Sequence, residues 1–131
     1  MKPASWKGYI TTRYLDTGKV ERVQNAILDG GLEMTGLLWL GQSTESFAQL
    51  QIEDSGGATV AAKDITGSYN IASGVLTVTS VALFSSSEVS TDVATVALIG
   101  SAGSRIAEAA VSIPAGNAVE ITREDELSEV V

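Results

Sequence analysis

The side chains of this sequence best equipped for chemistry are carboxylates. Glu53 and Asp54 stand together where an alternating apolar run meets a turn. Glu124, Asp125 and Glu126 form an acidic run near the end, and Glu108 interrupts the apolar segment "RIAEAAVSI". Two carboxylates can share acid and base work when one is desolvated and its pKa raised. Against that, acid pairs at corners and chain ends are ordinarily solvated charges, and Glu108 needs only to face outward from its strand. The chain has no histidine and no cysteine. A Ser-His-Asp triad, a thiol nucleophile and a His- or Cys-ligated metal are therefore ruled out. No Asp-x-Asp-x-Asp spacing marks a calcium loop. These residues lead us to expect no enzyme, no catalytic residue, no metal and no cofactor.

Two further stretches invite a chemical reading. "GSAGSR" (Gly100–Arg105) has the look of a phosphate-cradling loop, but it lacks the Gly-Lys-Ser/Thr ending. It also lies between two predicted strands, where no helix dipole would assist, so a hairpin turn is expected. Ser85, Ser86 and Ser87 offer hydroxyls, yet no base lies nearby in sequence to activate one.

The elements that must carry these residues read as strands. The 131 residues are 44% hydrophobic but only 5% aromatic, the bulk being Ala, Val, Ile and Leu with Thr, Gly and Ser between them. That composition suits one domain of β-structure with its own core. Predicted strands are Gly8–Leu15, Leu37–Gly41, Phe47–Asp54, Ala58–Ile65, Val75–Phe84, Val93–Gly100, Arg105–Ile113 and Ala118–Glu124, with a short edge segment in "GSYNIASG" (Gly67–Gly74). The long strand Val75–Phe84 has room for a bend or bulge near Ser80. In "VERVQNAILDGG", Val20, Val23, Ile27 and Leu28 fall at helical spacing, so one short helix is predicted near 19–29. Asp16 or Thr17 would cap its start, and Gly30 or Gly31 would end it in the left-handed conformation. The expected fold is mainly β: an antiparallel β-sandwich or jelly-roll-like barrel with one short N-terminal helix. Its parts are an N-terminal arm or first strand (1–15), a sandwich domain (16–124) and an acidic C-terminal tail (125–131).

Charge narrows the partners. The net charge is −8, and it is uneven: residues 1–65 hold 8 acids and 6 bases, residues 66–131 hold 8 acids and 2 bases. Without clustered Lys and Arg there is no footprint for nucleic acid. No apolar run approaches a membrane span, and the N-terminus lacks the apolar core of a signal peptide. The expected product is soluble and made in the cytoplasm without Sec export. Surface contact is then the remaining mode of action. Trp6 is either an aromatic folded onto its own domain or, with Tyr9, an anchor in an extended arm, since such residues are enriched at interface hot spots. Val130 and Val131 either fray with the tail or dock on a neighbour. Trp39, inside "LLWL", is expected in the core. Tyr69 and Asn70 are the best residues for a sugar site. "SIPAGNAVEIT" (Ser112–Thr122) reads as a chain reversal between two strands, because Pro114 cannot donate to a ladder and Gly116-Asn117 tolerate positive φ.

The order "NAIL", "LLWLG", a Ser/Thr-rich middle, "VTSVALF", "VATVALIG" and "VSIPAGNAVEIT" resembles small tailed-phage virion proteins, over roughly Val20 to Thr122. In that group a helix leads into a Leu/Trp strand and a late strand pair closes a β-sandwich. The resemblance implies a structural role in the virion. The first expectation is a capsid decoration (cement) protein, homo-oligomeric and bound to capsid subunits. Alternatives are a tail, fibre or baseplate component, or a receptor- or carbohydrate-binding module. The resemblance brings no site residues with it. An arm at residues 1–15 that orders only in the particle is a further expectation.

Overall fold

A computed structural model of the chain describes residues 4–28, 30–32, 35, 40–42 and 45–129. Among these residues the structure is mainly β, with nine strands: β1 (Ala4–Tyr14), β2 (Val20–Ile27), β3 (Phe47–Glu53), β4 (Thr59–Asp64), β5 (Thr66–Ala72), β6 (Val75–Phe84), β7 (Val93–Gly100), β8 (Arg105–Ile113) and β9 (Val119–Glu129). They form one sheet in the order β4-β3-β7-β8-β2-β1-β9-β6-β5, and every pairing is antiparallel. The sheet curls until β3 and β4 come against β6. Its narrowest join is β2–β8, where only Ala26↔Glu108 and Ile27↔Ala107 pair.

Alternation puts one face of each strand inside the curl. Along β1, β9 and β6 the inner face climbs in rungs. Tyr14, Val119 and Phe84 make the first, and Thr12, Ile121 and Ala82 the second. Ile10, Arg123 and Ser80 follow, then Gly8, Asp125 and Val78, and last Trp6, Leu127 and Leu76. The apolar residues of the first two rungs and Ile10, with Leu50, Ile52, Leu98, Ile106 and Ile113 from the β3–β7–β8 side, form the apolar core. Thr12 is buried in the second rung, and charged side chains enter only in the third and fourth. β7, "VATVALIG", has five of its eight residues buried and the other three half-buried, in keeping with its position within the sheet.

Several expectations are corrected. The predicted helix near 19–29 is strand β2. Its inward residues are Glu21, Val23, Asn25 and Ile27, and its outward ones Val20, Arg22, Gln24 and Ala26. Polar Glu21 and Asn25 on the inner face, and exposed Val20 on the outer, hid the period of two and left a false period near four. Gly30 and Gly31 do not end that element in the left-handed conformation. They lie against β8, where a Cβ would fall 2.6 Å from the Arg105 carbonyl oxygen and 2.5 Å from that of Ile106.

Of the two readings of residues 1–15, arm or first strand, residues 4–14 take the second: β1 sits inside the sheet, with eleven residues paired to β9 and six to β2. Residues Asp125 to Glu129, expected in an acidic tail, belong to β9, which runs unbroken to Glu129. β6 passes Ser80 without a bulge, keeping its register with both neighbours. The "PAGN" turn joins β8 to β9, which are not neighbours in the sheet, so it carries the chain across β2 and β1 rather than closing a hairpin. There Gly116 takes φ 83° and Asn117 donates to the Pro114 carbonyl. The predicted strand Leu37–Gly41, with Trp39, falls largely outside the described residues.

Candidate functional site

The carboxylates come first, because chemistry would have to use them. Glu53 ends β3 and is buried. The Arg105 guanidinium, from the start of β8, donates to both of its oxygens at 2.7 Å, and Gln51 donates to Oε2 at 2.8 Å. The same guanidinium donates to Glu108 through Nε at 3.0 Å and Nη2 at 2.7 Å. Two acids that sequence placed 55 residues apart thus share one cation. The Arg105 hydrogen bonds hold the Glu53 carboxyl below its usual range, overcoming the upward push of burial, and they hold Arg105 above its own. A general acid needs the opposite shift. This is the geometry of a bidentate ion pair, which fixes β3 against β8 across β7.

The "GSAGSR" segment is the β7–β8 hairpin turn, closed by Gly100 N–H to the Ser104 carbonyl, with Gly103 at φ 89°. It does cradle an anion, though one from its own chain. Glu45 Oε2 accepts from the backbone N–H groups of Ala102 (3.0 Å) and Ser104 (3.1 Å), and Oε1 accepts from Ser104 Oγ at 2.7 Å. A Cβ at Gly100 would lie 2.3 Å from that carboxylate. The Ser104 hydroxyl, the largest cause, holds the Glu45 pKa below normal. Asp54 is spent on its own turn, where Oδ1 accepts from the N–H groups of Gly56 and Ala58. Ser85, Ser87 and Glu88 close another turn among themselves.

The terminal acids divide by alternation. Glu124 and Glu126 face outward, while Asp125 turns into the curl beside Arg123. Arg123 and Asp125 are 1% and 4% exposed. Arg123 Nε donates to Asp125 Oδ2, its Nη2 to Oδ1, and Trp6 Nε1 also donates to Oδ1 at 2.8 Å. Trp6 packs on the core as well, so its contacts are with its own domain. Tyr9 lies on the outer face with the Arg22 guanidinium 4.1 Å above its ring. Val130 and Val131 lie outside the described residues. Tyr69 and Asn70 are successive strand residues on opposite faces of β5, so they do not converge on one ligand. Among the described residues no three carboxylates gather to hold a metal, and no helix is long and apolar enough to cross a membrane.

What remains is a surface. From Ile65 to Ser87 the sequence has 23 residues without a charge, in a chain of 24 charged residues. This stretch is β5, β6 and their turn, where Ser73 (φ 52°) and Gly74 (φ 76°) reverse the chain. β5 is exposed along its whole length. Gly67, Tyr69 and Ile71 pair with Ser80, Val78 and Leu76, which places them on the inner side of the curl. The core does not reach them: Tyr69 is 74% exposed and Ile71 67%. Between this overhang and the start of β3 opens a groove of about 640 Å³, lined by Phe47, Ile65, Tyr69, Ile71, Leu76 and Val78. Ser80 also lines it, and its hydroxyl is buried without a hydrogen-bond partner. The gap in charge was visible in the sequence. The edge position expected for Gly67–Gly74 is that of β5, whereas the groove beside it depends on the curl that brings β3 near β6.

No protein-family model, curated protein or solved structure matches this chain.

Proposed function

We propose that the protein is a non-enzymatic assembly protein of a phage particle, acting by surface contact. Capsid decoration is the first expectation and a tail or baseplate position the alternative. The observation that carries the contact reading is the uncharged β5–β6 hairpin, which presents Tyr69 and Ile71 to solvent beside an apolar groove. Contiguous apolar surface of this kind on a soluble domain marks an interaction site. The internal pairing of Glu45, Glu53 and Asp125 supports the same reading, because each of these carboxylates is engaged in holding strands and turns. The placement of the protein in a virion rests on the sequence resemblance. A sugar-binding module draws less support, with Tyr69 and Asn70 facing apart.

The test is mass spectrometry of purified particles from a culture carrying the gene. A fixed copy number relative to the major capsid protein is the expected result. Abundance in the lysate with absence from particles would overturn the assignment, and the ratio itself separates a capsid position from a tail position.

A further inference from the structure

The two edges of the sheet differ in how they are protected. An edge strand offers unpaired backbone N–H and C=O groups to any passing strand, and soluble proteins blunt such edges with charge, proline or bulges. The β4 edge is blunted. It carries Lys63, which bridges to Glu88, and Asp64, and its register with β3 shifts at Ile52/Glu53. The β5 edge is not. "TGSYNIA" holds no charge and no proline, and its seven pairs with β6 run without a shift.

We propose that β5 pairs antiparallel with β5 of a second copy of this chain, about a two-fold axis, joining two curled sheets edge to edge. This rests on reading the protein as one that works by surface contact. Charge selects the occupant. Each chain carries −8, so two copies repel over most of their surfaces. The Ile65–Ser87 hairpin is the region where they can meet without bringing like charges together. A basic partner would be drawn instead to the acidic remainder. Shape agrees. An antiparallel pair of identical strands is self-complementary and closes at two copies, whereas β5 on β4 of the next molecule would run on as an open filament. Seven paired residues would extend about 24 Å. Because Tyr69 and Ile71 share one face of β5, pairing sets the partner's Tyr69 and Ile71 alongside them, so the four side chains cover one another at the mouths of the two grooves.

The test is sedimentation velocity on the full chain and three variants, with circular dichroism to confirm the fold. Asn70 is exposed near the middle of β5, so Asn70→Lys places two cations close together across the axis. Like charges on facing strands are expected to weaken association by about tenfold. Asn70→Asp should act similarly, and mixing the two variants should restore a dimer, since lysine then meets aspartate. Leu83→Lys, also at an exposed position but on β6 away from the edge, should leave association unchanged. A wild-type chain that stays monomeric, a dimer indifferent to Asn70→Lys, a mixture that fails to recover, or polymers that lengthen with concentration would each overturn the proposal. The two readings also fail separately. A β5-dependent dimer absent from particles sinks the virion assignment alone, and a monomer that is nonetheless built into particles sinks the β5 pairing alone.

Discussion

Gly8 of β1 lies opposite Asn25 of β2, and a Cβ at Gly8 would stand 2.2 Å from Asn25 Oδ1 and 2.7 Å from Arg123 Nη2. The glycine is there because two buried polar side chains fill the space its own would occupy. Both are enclosed, so neither can swing aside freely. Gly8→Ala is expected to keep the fold and lower the unfolding free energy by about 1–3 kcal/mol, the range for overfilling a packed interior. Asn25→Ala in the same chain removes the obstacle, so the double variant should be less destabilised than the two single effects added together. Guanidinium denaturation of the four proteins checks this, and strict additivity would show that Gly8 is not making room for Asn25.

Arg123 and Asp125 should behave as a unit. Removing one partner of a buried pair strands the other charge, at a cost of about 3–5 kcal/mol, whereas replacing both with apolar residues is often close to neutral. Asp125→Leu alone is therefore expected to be severely destabilising, and Arg123→Met with Asp125→Leu much less so. Trp6→Phe removes one hydrogen bond to the same carboxylate and should lose about 1.5–3 kcal/mol. Chemical denaturation of these variants orders them. A double variant no more stable than Asp125→Leu would mean that the pair contributes more than mutual neutralisation.

The legible and illegible parts of the chain differ in whether apolar residues alone mark the inner face. Val75–Phe84, Val93–Gly100 and Arg105–Ile113 coincide with β6, β7 and β8 because apolar residues fill most of their inward positions and turn residues bound them. β2 was hidden by Asn25 and Glu21, as above. β9 was cut short for the same reason. Val119, Ile121, Arg123, Asp125 and Leu127 hold a period of two throughout, but the Arg–Asp rung reads as the start of a charged tail unless the alternation is followed through it. The acids Glu53 and Glu108 were picked out as residues. Their joint pairing with Arg105 depends on β3 and β8 both flanking β7, an arrangement that no local spacing encodes.

Acid should unfold this protein through specific carboxylates. Glu53 is held below its ordinary value of 4.5 by Arg105, and Glu45 by Ser104; at the surface Lys63 brings Glu88 down to about 2. Below 4.5 the unfolded chain therefore binds more protons at these sites than the folded one, and stability falls as pH drops toward the folded values. Their contribution is complete above that range. Glu53→Gln and Glu45→Gln should each lower the melting temperature at neutral pH and flatten its fall on the acid side. Thermal scans across pH check this. A variant whose acid limb runs parallel to wild type would show that its carboxylate is not among those responsible.

Two serines should respond with opposite sign to the same change. Ser80 Oγ is buried on the inner face of β6 with no hydrogen-bond partner. A hydroxyl enclosed in that way costs about 1–3 kcal/mol, so Ser80→Ala is expected to raise stability by roughly 1 kcal/mol. Ser104 Oγ donates to the Glu45 carboxylate at 2.7 Å and anchors the β7–β8 turn. Hydrogen bonds to charged groups contribute about 1.5–3 kcal/mol, so Ser104→Ala should lower stability toward the smaller end of that range at this partly open site. The volumes removed are equal, which leaves the partner as the difference between the two substitutions. If both lowered the denaturation midpoint alike, the Ser80 hydroxyl would have to be engaged in solution, and the groove it lines would be where its partner sits.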